Sequence, residues 1–355
     1  MRRCVQCVLP EQYPNIEFDA SGVCNFCRDY ESPRYLGEDA LAEVFEQARA
    51  KSGPYECLVP WSGGRDSTYV LVQLVRRHGL KVAAYNFDNG FTSEVARRNL
   101  ESIAERLGID MIYDRMPDHL FENYLRELVR LSAAKSPAHV PFALCSICGN
   151  GIWGGAYRTA ADRGIPLVVF GESSMERGYA KRIVAAGLES TKAEKVKFMV
   201  TKPVNFMKRR LYSHQCEQLF PRESERYRDL QRINYFDYLA WDENRMLETL
   251  RREVDWQQER GMDAWRFDCM IHAVVDALNR SLYGYTEKEE LLSRMINEGM
   301  IDREAALARL EKDQAPDRRD EIIAEVYRRL NLDRRTIEKL NTAMRAADFE
   351  KASLE

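Results

Sequence analysis

The chain has no run of about 18 apolar residues, so no membrane span is expected. Its opening Met1-Arg2-Arg3-Cys4 leads into no apolar stretch, so no secretory signal is read and the expected location is cytoplasmic. It also lacks a dominant charge. Lys and Arg number 53 against 56 Asp and Glu, a net charge of −3, so no global basic field marks it for nucleic acid. Local basic clusters such as Lys208-Arg209-Arg210 and Arg328-Arg329 read as solvated helix faces. There is no internal repeat, no low-complexity stretch, and no Walker A spacing that ends in Gly-Lys-Ser/Thr. What remains is 355 residues, 45% apolar, enough for a full core in one large or two modest domains. Cysteine is not scarce. The nine are odd in number and unevenly placed, which in a reducing compartment favours metal ligation over disulfides.

Residues 57 to 67 are the most informative segment. A short apolar strand, Tyr55 to Trp61, runs into Ser62-Gly63-Gly64-Arg65-Asp66-Ser67, and a helix-like apolar run follows at once. Strand, glycine turn and helix N-terminus together make a phosphate cradle. Gly63 and Gly64 let backbone N–H groups approach oxygens closely, and the helix start adds unpaired donors and a positive dipole end. Ser62 and Ser67 offer hydroxyls, and Asp66 is read as a helix cap or a Mg²⁺ ligand.

Cys4-x2-Cys7 and Cys24-x2-Cys27, sixteen residues apart, have the spacing of a four-cysteine zinc ribbon; an iron–sulfur cluster is the lesser alternative. A closed tetrathiolate leaves no position for substrate, so its expected role is structural. Strands are expected at Leu80 to Phe87, Ile109 to Tyr113 and Pro166 to Phe170, alternating with helices at Ala40 to Ala50, Glu94 to Leu107 (Ser93 as cap), Asp118 to Ala134 and Gly149 to Arg163. That alternation predicts a Rossmann-like, doubly wound parallel α/β sheet. Asp88 after the second strand, and Gly171 and Glu172 after the Pro166–Phe170 strand, fall where crevice loops contact nucleotide or substrate. Beyond about residue 200 the strand signals fade and helices dominate. The expected organisation is therefore a ribbon at 1–30, a nucleotide-binding domain at 31–200 and a mainly helical domain at 201–355. The aromatics of the last part, including Tyr227, Tyr235, Phe236, Tyr238 and Trp241, read as core rather than as a base-stacking platform.

A second set of thiols comprises Cys145-x2-Cys148, placed just before a helix, and the distant Cys269. Three thiolates from two segments suit a [4Fe–4S] cluster with one iron left open. They also suit a zinc site completed by His272, or a redox pair; the plainest reading is loop-shaping cysteines and a buried Cys269. Cys57 and Cys216 read as structural.

The Ser62-Gly63-Gly64-Arg65-Asp66-Ser67 string resembles the pyrophosphatase loop of the adenine nucleotide alpha-hydrolase superfamily. The resemblance implies binding of ATP and Mg²⁺, cleavage between the α and β phosphates, and adenylation of a substrate oxygen. Further stretches resemble N-acetyl sugar amidotransferases: Arg3-Cys-Val-Gln-Cys-Val-Leu-Pro10, Phe18 to Cys27, Tyr55 to Ser67, the Cys145-Cys148 stretch, Asn234 to Asp242, Tyr283-Gly-Tyr-Thr and Ile296 to Leu307. That likeness spans most of the chain. It implies conversion of an acetamido group on a nucleotide- or lipid-linked sugar into an acetamidino group, with ammonia from a separate glutaminase, since the chain shows no glutaminase domain of its own. Arg65, Asp66 and Ser67 would then carry catalysis with the loop and Mg²⁺, and Asp66 with Asp88 or Glu172 would hold metal or ribose. Two departures stand out. Arg65 replaces a frequent Lys, which changes hydrogen-bond geometry, and Gly171 to Tyr179 matches the family poorly. The alternative is an ATP-dependent sulfurtransferase acting on a nucleobase, tRNA or small molecule, which the cluster reading favours. A homo-oligomer is left open.

Overall fold

A computed structural model describes residues 2–51, 53–116, 119–173, 175, 230–258, 266–312 and 319–352. Cys216, Tyr227, Lys208-Arg209-Arg210 and most of the Gly171 to Tyr179 stretch lie outside the described residues.

Five parallel strands form one sheet: β1 (Cys57–Pro60), β2 (Val82–Phe87), β3 (Asp110–Asp114), β4 (Leu167–Phe170) and β5 (Gln231–Asn234), in the order β3-β2-β1-β4-β5. The chain builds outward from β1 on one side, then crosses to β4 on the other. The strand order therefore reverses between β1 and β4, and a crevice opens beyond their carboxyl ends. Strands β1, β2 and β4 are buried throughout, as a sheet covered on both faces requires.

Alternation along the strands sorts the core into two layers. Cys57, Val59, Val82, Ala84, Leu167 and Val169 face a layer with apolar residues of α2 (Glu38–Arg49), α3 (Arg65–Val72), α4 (Glu94–Leu107) and α7 (Glu243–Val254). Leu58, Ala83, Tyr85, Phe87, Val168 and Phe170 face the other, with α5 (Leu120–Lys135), α6 (Val140–Asp162), α8 (Ile271–Tyr283), α11 (Arg319–Arg329) and α12 (Arg334–Ala352). Helices α9 (Glu287–Asn297) and α10 (Arg303–Lys312) pack on each other, and α1 (Asn25–Arg28) belongs to the N-terminal knuckle. Ser93 caps α4 as expected, its Oγ accepting from the Ala96 N–H at 3.1 Å.

Two expectations need correcting. Strand β5 lies well past residue 200 and pairs with β4 from Leu167–Gln231 to Phe170–Asn234, so a boundary at 200 cuts the sheet. The second concerns α6, which starts at Val140 rather than Gly149, so Cys145 and Cys148 lie on the helix one turn apart, not before it. The glycines of α6 explain its path. A Cβ on Gly155 would fall 1.7 Å from the Tyr85 hydroxyl, and one on Gly151 would fall 2.7 Å from the Phe87 ring. Without side chains at these positions, the helix lies directly on β2. Among the late aromatics, Tyr235, Phe236 and Trp241 are buried as expected.

Candidate functional site

The glycine loop sits at the carboxyl end of β1, beside the point where the strand order reverses. Gly63 has φ +82°, and a Cβ there would meet the Ala96 carbonyl at 2.5 Å, so only glycine fits without displacing α4. The Gly63 carbonyl is pinned from behind by Asn99 Nδ2 (3.2 Å) and Trp256 Nε1 (3.0 Å). Helix α3 begins after Gly64 with no side-chain cap, so its first-turn N–H groups face the crevice end of the loop without a capping side chain. Ser62 Oγ and Ser67 Oγ lie 3.3 Å apart, and Ser62 Oγ also accepts from the Gly64 N–H at 3.3 Å. Gly171, following β4, closes the other side: a Cβ there would lie 3.2 Å from Ser67 N and Cα. Ser62, Gly63, Gly64, Ser67 and Gly171 are thus brought together.

Arg65 is not part of that surface. Its guanidinium is buried, with Nε donating to Asp66 Oδ1 at 2.5 Å, Nη1 donating to Glu243, and the group lying over the Trp241 ring at 5.0 Å. Arg309 binds the same Glu243 carboxylate at 2.7 and 3.1 Å. Asp66 is equally committed, since its Oδ2 accepts from Trp241 Nε1 at 2.9 Å. Neither caps α3. The pair ties the start of α3 to α7 and α10, a positioning role in place of the expected phosphate or metal contact. The helical stripe Arg65, Thr68, Tyr69, Val72 is buried as a set, and that 3–4 spacing is the signal that points Arg65 inward.

Asp88 and Glu172 also have protein partners. Asp88 Oδ1 accepts from the Gly90 N–H at 2.9 Å, closing its own turn, and Oδ2 pairs with Arg115 at 3.2 Å. Glu172 accepts from Trp153 Nε1 at 2.9 Å and lies 3.9 Å from Arg232. Neither approaches Asp66 through a contact among the described residues.

Sequence reasoning missed Asp268. The Thr92–Cys269 bridge, with the Ser93 N–H donating to the Asp268 carbonyl at 2.9 Å, lays this segment along the loop after β2. The Asp268 carboxylate then falls 3.1 Å from where a Gly64 Cβ would sit. Only tertiary pairing brings it there; no local pattern marks it. The next residue, Cys269, points to a different neighbour: Asn89 Nδ2 donates to Cys269 Sγ at 3.6 Å and to Cys148 Sγ at 3.7 Å. One residue step, about 3.8 Å between Cα atoms, therefore links the glycine loop to the second cysteine set.

Burial pushes all three thiols up: Cys269 to about 11, helped by Asp268; Cys145 to about 12, helped by Glu287; and Cys148 well above its ordinary value, helped by Cys269 and Cys145. Cys145 keeps solvent access despite these surroundings, so it lines a recess. A redox pair requires a lowered thiol, and every shift here runs the other way. A cation would reverse them. The three sulfurs do not gather within 4.8 Å, whereas a single zinc draws thiolates to about 3.8 Å of one another. That separation does not match the close approach a single zinc ion imposes. His272, the expected fourth partner of a zinc site, faces Glu287 at 3.3 Å instead.

The N-terminal thiols are arranged differently. Cys4, Cys7, Cys24 and Cys27 are all buried and offer donor atoms within 4.8 Å of one another, with Cys4–Cys27 at 4.0 Å and Cys7–Cys24 at 3.8 Å. Backbone N–H groups of Cys7, Leu9 and Cys24 point at sulfurs at 3.5, 3.5 and 3.2 Å. Hydrogen bonds from Cys24 and Cys27 hold the Cys7 thiol far below its usual range. This donor set fits a tetrahedral ion. Arg303 Nε, on α10, donates to the Cys4 and Cys7 carbonyls at 3.1 and 3.0 Å, and Tyr13 donates to Glu290 at 2.9 Å, so the knuckle is docked rather than loose.

No family model matches the chain. Two curated proteins of Methanocaldococcus jannaschii are similar to it. Uncharacterized protein MJ1599 is 21% identical over 290 residues, 81% of this chain and 83% of that protein. Uncharacterized protein MJ1016 is 25% identical over 142 residues, 39% and 44% of the two chains. Among solved structures, the U34-tRNA thiolase NcsA from Methanococcus maripaludis with its [4Fe–4S] cluster aligns over 93% of this chain and 89% of its own, at 14% identity and a TM-score of 0.33.

Proposed function

We propose that this protein is an ATP-dependent enzyme that adenylates a carbonyl or amide oxygen and replaces that oxygen with sulfur. One observation carries the reading: consecutive residues Asp268 and Cys269 join the glycine loop to the Cys145, Cys148 and Cys269 recess. Transfer of nitrogen to a sugar would need the loop but has no use for three thiols beside it, and no observation in the site favours sugar amidination.

The chain's own groups divide the work. N–H groups at the start of α3, with the Ser62 and Ser67 hydroxyls, receive the phosphates. Electrostatic stabilisation of the departing pyrophosphate is their main contribution. Asp268 beside Gly64 is the carboxylate placed to hold Mg²⁺ against that charge, the role first expected of Asp66. Arg65, Asp66, Glu243 and Trp241 keep the helix start aimed. The acceptor oxygen takes the adenylyl group and pyrophosphate leaves. A sulfide sulfur then bonds to the acceptor carbon, the carbon–oxygen bond breaks, AMP departs, and the sulfur's proton passes to water. A [4Fe–4S] cluster held by Cys145, Cys148 and Cys269 would supply an iron with one exchangeable position for the sulfur donor. Zinc in the Cys4, Cys7, Cys24, Cys27 knuckle would be purely structural.

The test uses anaerobically purified full chain with ATP and Mg²⁺ and either sulfide or ammonia as donor, offered either unmodified tRNA or a nucleotide-linked N-acetyl sugar. Acceptor-dependent AMP with a product heavier by the oxygen-to-sulfur difference supports the reading. AMP that forms only with ammonia and the sugar would restore sugar amidination and sink sulfur transfer.

A further inference from the structure

Helix α8 carries His272 and Asp276 one turn apart, at i and i+4, so both side chains lie on one face. The connection Gly284-Tyr285-Thr286 reverses the chain into α9. Its Thr286/Glu289 capping box fixes the entry, and the first helical residue, Glu287, is turned back towards that face. One donor atom from each of His272, Asp276 and Glu287 lies within 4.8 Å of the other two.

The donors are not satisfied by protein. His272 Nδ1, Asp276 Oδ1 and Glu287 Oε1 are buried and have no hydrogen-bond partner. His272 Nδ1 and Glu287 Oε1 are 3.3 Å apart, yet both remain without a hydrogen bond. Glu287 is only 7% exposed. Its other oxygen, Oε2, is taken by Arg266 at 3.3 Å, which leaves Oε1 for the cluster. Three unpartnered polar atoms converging in one buried place are costly unless something fills the space between them. The same three atoms are a ready donor set for one ion.

We propose that His272, Asp276 and Glu287 form a binding site for a divalent transition-metal ion of the Zn²⁺ or Mn²⁺ class, separate from both cysteine sets. One imidazole with two carboxylates suits such an ion; the absence of thiolate from the donor set distinguishes it from the sites at the knuckle and the recess. The two carboxylates share this buried place with Arg266, on Glu287, and with Arg280 and Lys288 near Asp276. The ion fastens α8 to the start of α9, one turn beyond Cys269, whose carbonyl accepts from the His272 N–H at 3.1 Å.

The test is titration of the full-length protein with Mn²⁺, without nucleotide, followed by the loss of the free-ion signal in electron paramagnetic resonance. Mn²⁺ avoids thiolate sites, so the knuckle and recess stay silent. The wild type should take up one Mn²⁺ per chain and melt higher with it. Asp276→Asn and Glu287→Gln, each of unchanged shape, should both lose the uptake and the rise in melting temperature while keeping the knuckle's zinc. If Mn²⁺ and Zn²⁺ both fail to bind the wild type beyond the knuckle, the proposal is overturned. It is also overturned if both variants retain full Mn²⁺ stoichiometry, since the ion would then sit elsewhere. Should one variant not fold, the other and the wild-type stoichiometry still decide.

Discussion

The two cysteine sets solve opposite problems. In the knuckle, four buried sulfurs converge within 4.8 Å, backbone N–H groups surround them, Arg303 on α10 clamps the turns, and Tyr13 anchors them to Glu290 on α9. Nothing is left open, as a structural ion requires. In the recess, three sulfurs come from α6 and from the strand-like segment before α8, they do not gather, and Cys145 still reaches solvent. A site that must admit a reactant cannot be closed, and it cannot stabilise the fold as strongly. Spacing alone makes both look like Cys-x2-Cys motifs; convergence and access separate them.

The largest expected effect tests the closed half. Cys24→Ser removes one of four converging ligands. Because metal affinity in such knuckles is folding energy, we expect a loss on the order of 4 kcal/mol or more, an early-melting protein and no bound zinc. Thermal melts with zinc analysis read this directly. A Cys24→Ser protein that melts like wild type would erase the contrast.

Next comes the seat of the open half. Gly155→Ala puts a methyl group 1.7 Å from the Tyr85 hydroxyl, which is itself held by Asp114 at 2.8 Å. Helix α6 must lift from β2, at a cost of about 1–3 kcal/mol. Zinc content should stay unchanged while iron uptake at Cys145 and Cys148 falls. Adding Tyr85→Phe should recover part of the stability, because the closest atom is then gone. Equal loss of zinc and iron would mean the two sites are not independent.

These contrasts were only partly legible in the sequence. The strand–glycine–helix string located the loop, and the alternation of strands with helices pointed to the parallel sheet. Strand β5 escaped because Gln231-Arg232-Ile233-Asn234 has a single apolar residue: an edge strand buries little and shows no pattern. Arg65 was misassigned because it adjoins the loop in sequence, although its 3–4 companions Thr68, Tyr69 and Val72 already marked an inward face. Asp268 could not be read at all. Its place depends on pairing between Cys269 and Thr92, 177 residues apart in numbering (269 − 92), which no local window contains.

A smaller effect on the fold, with a large one on chemistry, is expected of Cys269→Ser. The substitution nearly keeps shape, so stability should change by no more than about 1 kcal/mol. ATP binding at the loop should persist, whereas cluster iron and sulfide-dependent product should be lost. Isothermal titration with nucleotide, iron analysis and the transfer assay separate these. Full sulfur transfer by Cys269→Ser would remove the recess from the mechanism.

The smallest effect on chemistry is expected at Asn89, the described side-chain donor that two sulfurs of the open site share. Oδ1 of Asn89 accepts from the Phe91 N–H at 2.8 Å, and Nδ2 divides between Cys148 and Cys269. Asn89→Ala removes both functions and should cost about 1 kcal/mol. Asn89→Asp keeps the acceptor that shapes the turn but turns a carboxylate towards two sulfurs. Hydrogen bonds to cluster sulfurs tune reduction potential and persistence. The Ala variant should therefore still load iron but lose it faster in air, and the Asp variant should load poorly because like charges face each other. Both should leave metal content at the knuckle unchanged, because its four cysteines lie on other elements. The ordering Ala above Asp in iron retention discriminates a charge effect from a merely structural one, since Asp preserves the turn better than Ala. If Asp retained iron better than Ala, the turn would be the part that matters, and the three thiols would not be a charge-sensitive site.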